Sequence, residues 1–192
     1  MTTRPTWMLP PIDELTEFPA SDIARHLGNL CRYAGGTPQH YSVARHSLLV
    51  MHLLPAQNPG LRLLGLLHDV HECWIGDLLR PAKARVKLAI DDLEREYDMK
   101  IRRLIGLADY VPETYAKAVA EADSLACQIE MEWIGRETDW NDFPHSFDCA
   151  MTLAGMGYAS VDSGAWLFAY RNQLRRACTE PNSTDMALLQ LD

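Results

Sequence analysis

Apolar residues recur at helical spacing along most of this chain. Residues 1 to 20 are the exception: prolines at 5, 10, 11 and 19 predict an extended arm that packs on the body or swaps to a neighbour. In "SDIARHLGNLCRY", Ile23, Leu27 and Leu30 fall at i, i+4 and i+7, and Ser21 is placed to cap that helix. "GGTPQHY", residues 35 to 41, reads as a loop from its Gly-Gly and Pro. Ser42 then opens "SVARHSLLVMHLL", a second apolar-faced helix ending near Pro55. A third helix is expected from Leu61 to Trp74, followed by a turn or short helical loop around Gly76 and Pro81. Residues 84 to 107 carry the clearest amphipathic stripe, Val86, Ile90, Leu93, Tyr97, Ile101 and Leu104. Pro112 suits the start of "ETYAKAVAEADSLACQIEMEWIG". One or two more helices are expected between Phe143 and Ala177, and the tail "TEPNSTD" reads as polar and loose. No period-2 segment of useful length and no internal repeat occurs. The prediction is an all-α, single-domain helical bundle over residues 21 to 178, with residues 179 to 192 as a polar C-terminal tail.

Composition changes little in that picture but narrows function. With 192 residues, 47% of them apolar and 23% charged, the chain has the make-up of one ordinary globular domain. Its formal charge of −8, from 18 basic and 26 acidic residues, argues against a binder of nucleic-acid polymers. A small phosphorylated ligand needs only a local cluster of donors and stays open. The five cysteines form no C-x-x-C pair, so neither a thiolate zinc knuckle nor a disulfide frame is indicated. Free thiols, together with the absence of any membrane-length apolar run or signal peptide, predict a cytoplasmic protein with no membrane partner.

The chemistry begins in "LLGLLHDVHECWIGDLL", residues 63 to 79, where an apolar helix bound for the core ends in His68 and Asp69. Two more acids, Glu72 and Asp77, follow. Buried charge needs a partner or a metal. His46, mid-helix in "YSVARHSLLV", and Asp123, hemmed by Ala122, Leu125 and Ala126, repeat the anomaly of a polar group in apolar surroundings. Taken singly, His46 reads as a satisfied core histidine and Asp123 as a solvated acid. Jointly, four such residues on three helices would make a site for one divalent ion. Imidazole nitrogen and carboxylate oxygen suit Zn, Mn, Co or Fe, softer ions being disfavoured by the lack of thiolates.

That joint pattern resembles the HD-domain phosphohydrolase superfamily, and most closely its small single-domain branch of bacterial 5′-deoxynucleotidases and phage dATP triphosphohydrolases. The resemblance rests on "YSVARHSLLV", "GLLHDVHECWIGDLLRPAK" and the downstream Glu-Ala-Asp ending at Asp123, and runs from about Asp22 to Glu130. It implies a helical bundle of HD-domain type holding one divalent ion (Co, Mn, Zn, Fe or Mg) through His46, His68, Asp69 and Asp123. It implies Glu72 and Asp77 as base or positioning groups beside the attacking water. It also implies Arg32 and Lys83 at phosphate oxygens, and Tyr33 where the bacterial enzymes commonly place Trp against the sugar. A bound divalent ion brings the pKa of its water from 15.7 toward about 7, and phosphoryl transfer otherwise asks for positioning and charge stabilisation. The implied activity is hydrolysis at the α-phosphate of a small-molecule deoxynucleotide. A deoxynucleoside monophosphate is slightly favoured, with a dNTP triphosphohydrolase as the alternative. Arg45, Arg80, Lys83 and Arg85 are the candidate cations for lining room for further phosphates. Relatives in the branch imply a homo-oligomer.

Other classes fare worse. His68 to Glu72 reads His-Asp-Val-His-Glu, which is neither zinc-peptidase motif, and His71 is expected on the helix surface. No G-x-S-x-G and no P-loop occurs, and "GMG" at 155 to 157 lacks the third glycine of a dinucleotide fingerprint. A degenerate HD domain acting as a nucleotide sensor should have lost a ligand or an acid, and all six are present.

Overall fold

In the computed structural model, residues 5, 8–134, 159–180, 185 and 188 are described. Among them the chain is helical, without strands: α1 (Ala20–Asn29), α2 (Val43–Leu53), α3 (Pro59–Leu67), α4 (Glu72–Ile75), α5 (Arg80–Arg85), α6 (Lys87–Leu104), α7 (Glu113–Ile134) and α8 (Ala159–Thr179). The all-α bundle expected from the 3.6-residue period is what forms.

The hub is α2. Every residue from Val43 to Met51 is buried, because α1, α3, α7 and α8 all pack against it. Its start is fixed by Ser42, whose Oγ accepts from the Arg45 backbone N–H at 3.0 Å. The same hydroxyl donates to Asp162 Oδ2 at 2.6 Å, and the Arg45 guanidinium meets Asp162 Oδ1 at 3.1 Å. This buried cluster ties α2 to the first turn of α8. Leu63, Leu66, Ile23, Leu27 and Trp166 fill the space between the hub and its neighbours.

Several expectations need correction. Ser21 does not cap α1: the helix begins at Ala20 after Pro19, with no side-chain cap. The third helix stops at Leu67 and resumes as the one-turn α4, since Val70, Glu72 and Cys73 donate three residues back rather than four. The amphipathic segment breaks at Val86 between α5 and α6. Val86 is exposed, as is Leu88, and Ile101 is the one fully buried member of the predicted stripe. Pro112 lies just before α7, its carbonyl accepting from Tyr115 and Ala116. The predicted helical region 143–177 is described from Ala159 onward, where α8 lies; its earlier part falls outside the described residues. The tail is not loose throughout: Asp185 is buried and accepts from the Tyr115 hydroxyl at 3.0 Å, and Leu188 joins the core. The N-terminal arm packs on its own body through Leu9, Ile12 and Leu15, and its Pro10 carbonyl accepts from Trp74 Nε1 at 2.8 Å. No helix among the described residues is long and apolar enough to cross a membrane.

Candidate metal centre

The end of α3 explains how adjacent residues can face one point. Beyond Leu67 the backbone tightens into three-residue turns, and His68 Nδ1 hydrogen-bonds the Gly65 carbonyl at 2.8 Å. That bond requires the proton on Nδ1, so Nε2 carries the lone pair into the site. His46 is set the same way from α2: its Nδ1 lies 2.5 Å from Glu130 Oε1, which again leaves Nε2 facing inward. Both Nε2 atoms are buried without a hydrogen-bond partner.

Two carboxylates complete the cluster. His68 Nε2 is 3.1 Å and His46 Nε2 3.6 Å from Asp69 Oδ2; Asp123 Oδ1, from α7, is 3.0 Å from His46 Nε2 and 4.0 Å from His68 Nε2. Ligand atoms of a tetrahedral site with bonds of about 2.0–2.2 Å lie roughly 3.3–3.6 Å apart. The four observed spacings straddle that edge length, so His46 can share a divalent ion with His68 and Asp69 and lies equally close to Asp123. His46, His68 and Asp69 form one candidate metal-binding group, and His46, Asp123 and Cys127 another.

Electrostatics around the cluster follow from crowding. Burial opposes the charged form of His46, but the Asp123 and Glu130 carboxylates outweigh it and lift its pKa to about 9. Burial would raise Asp69, yet His68, His46 and Arg32 hold it well below the usual carboxylate range. Glu72 goes the other way: burial, then the charges of Asp69 and Asp77, push it up to about 10. Its Oε2 is buried without a partner. Asp77 is raised chiefly by burial, and its Oδ2 accepts from the Tyr33 backbone N–H at 3.0 Å.

Tyr33 and Ala34 have φ of 56° and 54°, in the left-handed region that non-glycine residues rarely enter. Asp77 and a 2.6 Å hydrogen bond from the Tyr33 hydroxyl to Glu130 Oε2 hold this turn. The turn forms one wall of a cavity of about 250 Å³ lined by Arg32, Tyr33, Asp77, Leu78, Leu79, Arg80, Cys127 and Met131. Arg32 connects cavity and cluster: its guanidinium lies 3.6 Å from Asp69 Oδ2 and 3.3 Å from Glu130 Oε2. Glu72 lines a separate cavity of about 280 Å³ beside α1, with Arg25, His26 and Asn29.

The structure therefore brings together His46, His68, Asp69 and Asp123, with Arg32, Tyr33 and Asp77 on the adjoining wall. Lys83 does not join that wall: its ammonium pairs with Glu94 at 2.7 Å. His71 is not a surface residue. It is buried, with Nδ1 2.9 Å from Asp98 and Nε2 3.7 Å from Glu94.

Two residues escaped sequence reasoning. Glu130 is buried and bonded to His46, Tyr33 and Tyr41, fixing the imidazole from behind. Cys127 brings a thiol to the centre despite the lack of any C-x-x-C pair: its Sγ is 3.6 Å from Asp123 Oδ1, and Arg32 Nη2 donates to it at 3.5 Å. Asp123, Cys127 and Glu130 are spaced i, i+4, i+7, a stripe that was available to inspection.

No family model matches the chain. It is 35% identical over 119 residues to an uncharacterized protein of Rhodobacter capsulatus, a match covering 59% of this chain and 61% of the relative. It is 32% identical over 115 residues to the uncharacterized protein YfdR of Escherichia coli, covering 60% of each. The chain thus spans about three fifths of the length of these curated relatives.

Proposed function

We propose that this chain is a divalent-metal-dependent deoxynucleotide phosphohydrolase resembling the HD-domain enzymes, acting at the α-phosphate. One observation carries the reading: His46, His68, Asp69 and Asp123 converge from three segments, with buried His46 Nε2 3.0 Å from Asp123 Oδ1 and buried His68 Nε2 3.1 Å from Asp69 Oδ2. These four residues would hold the ion, which when bound supplies an acidified water and a Lewis acid for a phosphoryl oxygen.

The remaining work falls to the chain's own groups. Glu130 holds His46 in the tautomer that presents Nε2. Arg32, kept in place by Asp69 and Glu130, offers positive charge where the cavity meets the cluster, suited to a phosphate oxygen. Glu72 is held in its protonated form by burial and by the charges of Asp69 and Asp77, and a cation bound at Asp69 would ease the release of that proton. Asp77 acts through the Tyr33 N–H, shaping the wall against which a sugar would lie.

Charge counting favours a monophosphate. Of the candidate cations for a triphosphate, Arg45 is buried against Asp162 and Lys83 is paired with Glu94. Arg80 lines the cavity, and Arg85 is absent from its lining. Incubating the protein with Mn²⁺ or Co²⁺ and either dAMP or dATP, then separating products by ion exchange, tests this. Deoxyadenosine and phosphate from dAMP alone are expected. Triphosphate released from dATP would move the assignment to a dNTP triphosphohydrolase. Inertness toward a panel of deoxynucleotides and ribonucleotides would overturn the enzyme reading in favour of a nucleotide sensor.

A further inference from the structure

Cys127 stands one helical turn beyond Asp123 on α7 and faces the same point. Asp123 Oδ1 is 3.6 Å from the Cys127 Sγ and 3.0 Å from His46 Nε2, and the three ligand atoms lie within 4.8 Å of one another. His46 is wholly buried, and its Nε2 has no hydrogen-bond partner. A tetrahedral ion with a bond of about 2.3 Å to sulfur and about 2.1 Å to oxygen would separate those two atoms by roughly 3.6 Å. The sulfur accepts a hydrogen bond from Arg32 Nη2, while burial and the neighbouring Asp123 charge hold it as the thiol, so an ion that binds it must displace its proton.

We propose that the centre has two ligand sets sharing His46 and Asp123. Hard ions such as Mn²⁺ take His46, His68, Asp69 and Asp123; thiophilic ions such as Zn²⁺ or Cd²⁺ draw in Cys127 with His46 and Asp123. The inference rests on the metal-centre reading above. As the thiophilic ion binds, the S–H bond breaks, its proton passes to solvent, and the sulfur electron pair forms the bond to the ion; nothing is oxidised. Soft thiolate ligands select such ions over the hard ones, so this one side chain would give an otherwise N/O site a graded choice of metal.

The test is a Cd²⁺ titration of the metal-stripped full chain, read by the ultraviolet thiolate-to-cadmium charge-transfer band, with calorimetry counting bound ions. A parallel Mn²⁺ titration reports the N/O set. The wild type should show the band saturating at about one equivalent. Cys127→Ser and Cys127→Ala should bind one ion without the band, with Cd²⁺ held roughly tenfold or more weakly and Mn²⁺ little affected. Cys31, Cys73, Cys149 and Cys178 stay in both variants and serve as internal controls. Bound Cd²⁺ without the band, or a band that survives both substitutions, would overturn the inference while leaving the N/O centre standing. Failure of both Cd²⁺ and Mn²⁺ to bind would overturn the centre, and this inference with it.

Discussion

His46 shows how much a single side chain is asked to do. It is wholly buried between a carboxylate on each side, and those acids lift its pKa to about 9. An ion needs the Nε2 lone pair, so near pH 7 a proton must leave as the ion enters. Metal affinity should therefore rise with pH up to about 9, and uptake at pH 7 should release about one proton from this residue. Calorimetric Mn²⁺ titrations in buffers of different ionisation enthalpy read that proton directly; uptake without proton release would contradict it. Glu130→Gln keeps a hydrogen-bond partner for Nδ1 but removes the charge, and should weaken the metal roughly 10- to 100-fold with little effect on folding. Glu72→Gln should make the opposite split, full metal binding and loss of turnover, although Glu72 stands within 4.8 Å of the Asp69 and His71 ligand atoms. Equal loss of binding in Glu72→Gln would show that it is a ligand instead.

At the scale of elements, the centre is only as well placed as the hub that carries His46. The Arg45–Asp162 pair joins α2 to α8 with both side chains almost fully buried. Asp162→Asn would remove the carboxylate charge that meets the buried Arg45 guanidinium and should cost several kcal/mol, about 3–5, measured as a lowered urea midpoint. An unchanged midpoint would show that the clamp is ornamental. Gly60, at the start of α3, has no room for a side chain: a Cβ there would lie 2.2 Å from Asp185 Oδ1. Gly60→Ala should push Asp185 off the Tyr115 hydroxyl and cost about 1 kcal/mol or more, the net worth of a buried hydrogen bond. Local pattern made parts of this legible. Ser42 as a cap, α2 as a buried helix, and the His-Asp end of α3 all follow from residues close in sequence. What stayed hidden depends on distance along the chain. Arg45 and Asp162 are 117 positions apart, and Glu130 meets His46 across 84. Nothing near either residue records such a partner. The tail misled for the same reason, because Asp185 reads as a solvated acid until Tyr115 is beside it. The break at Val86 was missed because a stripe of apolar residues reports what a helix can bury, and here little lies opposite its first turn.

For the molecule as a whole, stability and chemistry can be probed apart. His52, near the end of α2, is remote from the ligand set, and burial lowers its pKa below 6.5 while Nδ1 donates to the Leu48 carbonyl. The unfolded chain therefore takes up this proton more readily than the fold, so stability is full above pH 6.5 and falls as pH drops below it. His52→Gln should flatten that acid-side decline in the urea midpoint between pH 7.5 and 5.5; an identical decline in the variant would remove His52 as its source. The ligand set, by contrast, should govern turnover and leave the fold nearly untouched. The most direct measurement is phosphate release from dAMP as Mn²⁺ is titrated into metal-stripped protein, with His68→Ala alongside. Release should rise in step with occupancy of about one ion per chain and vanish in His68→Ala, whose circular dichroism and urea midpoint match the wild type. Release from the metal-stripped protein, or undiminished release from His68→Ala, would contradict the account.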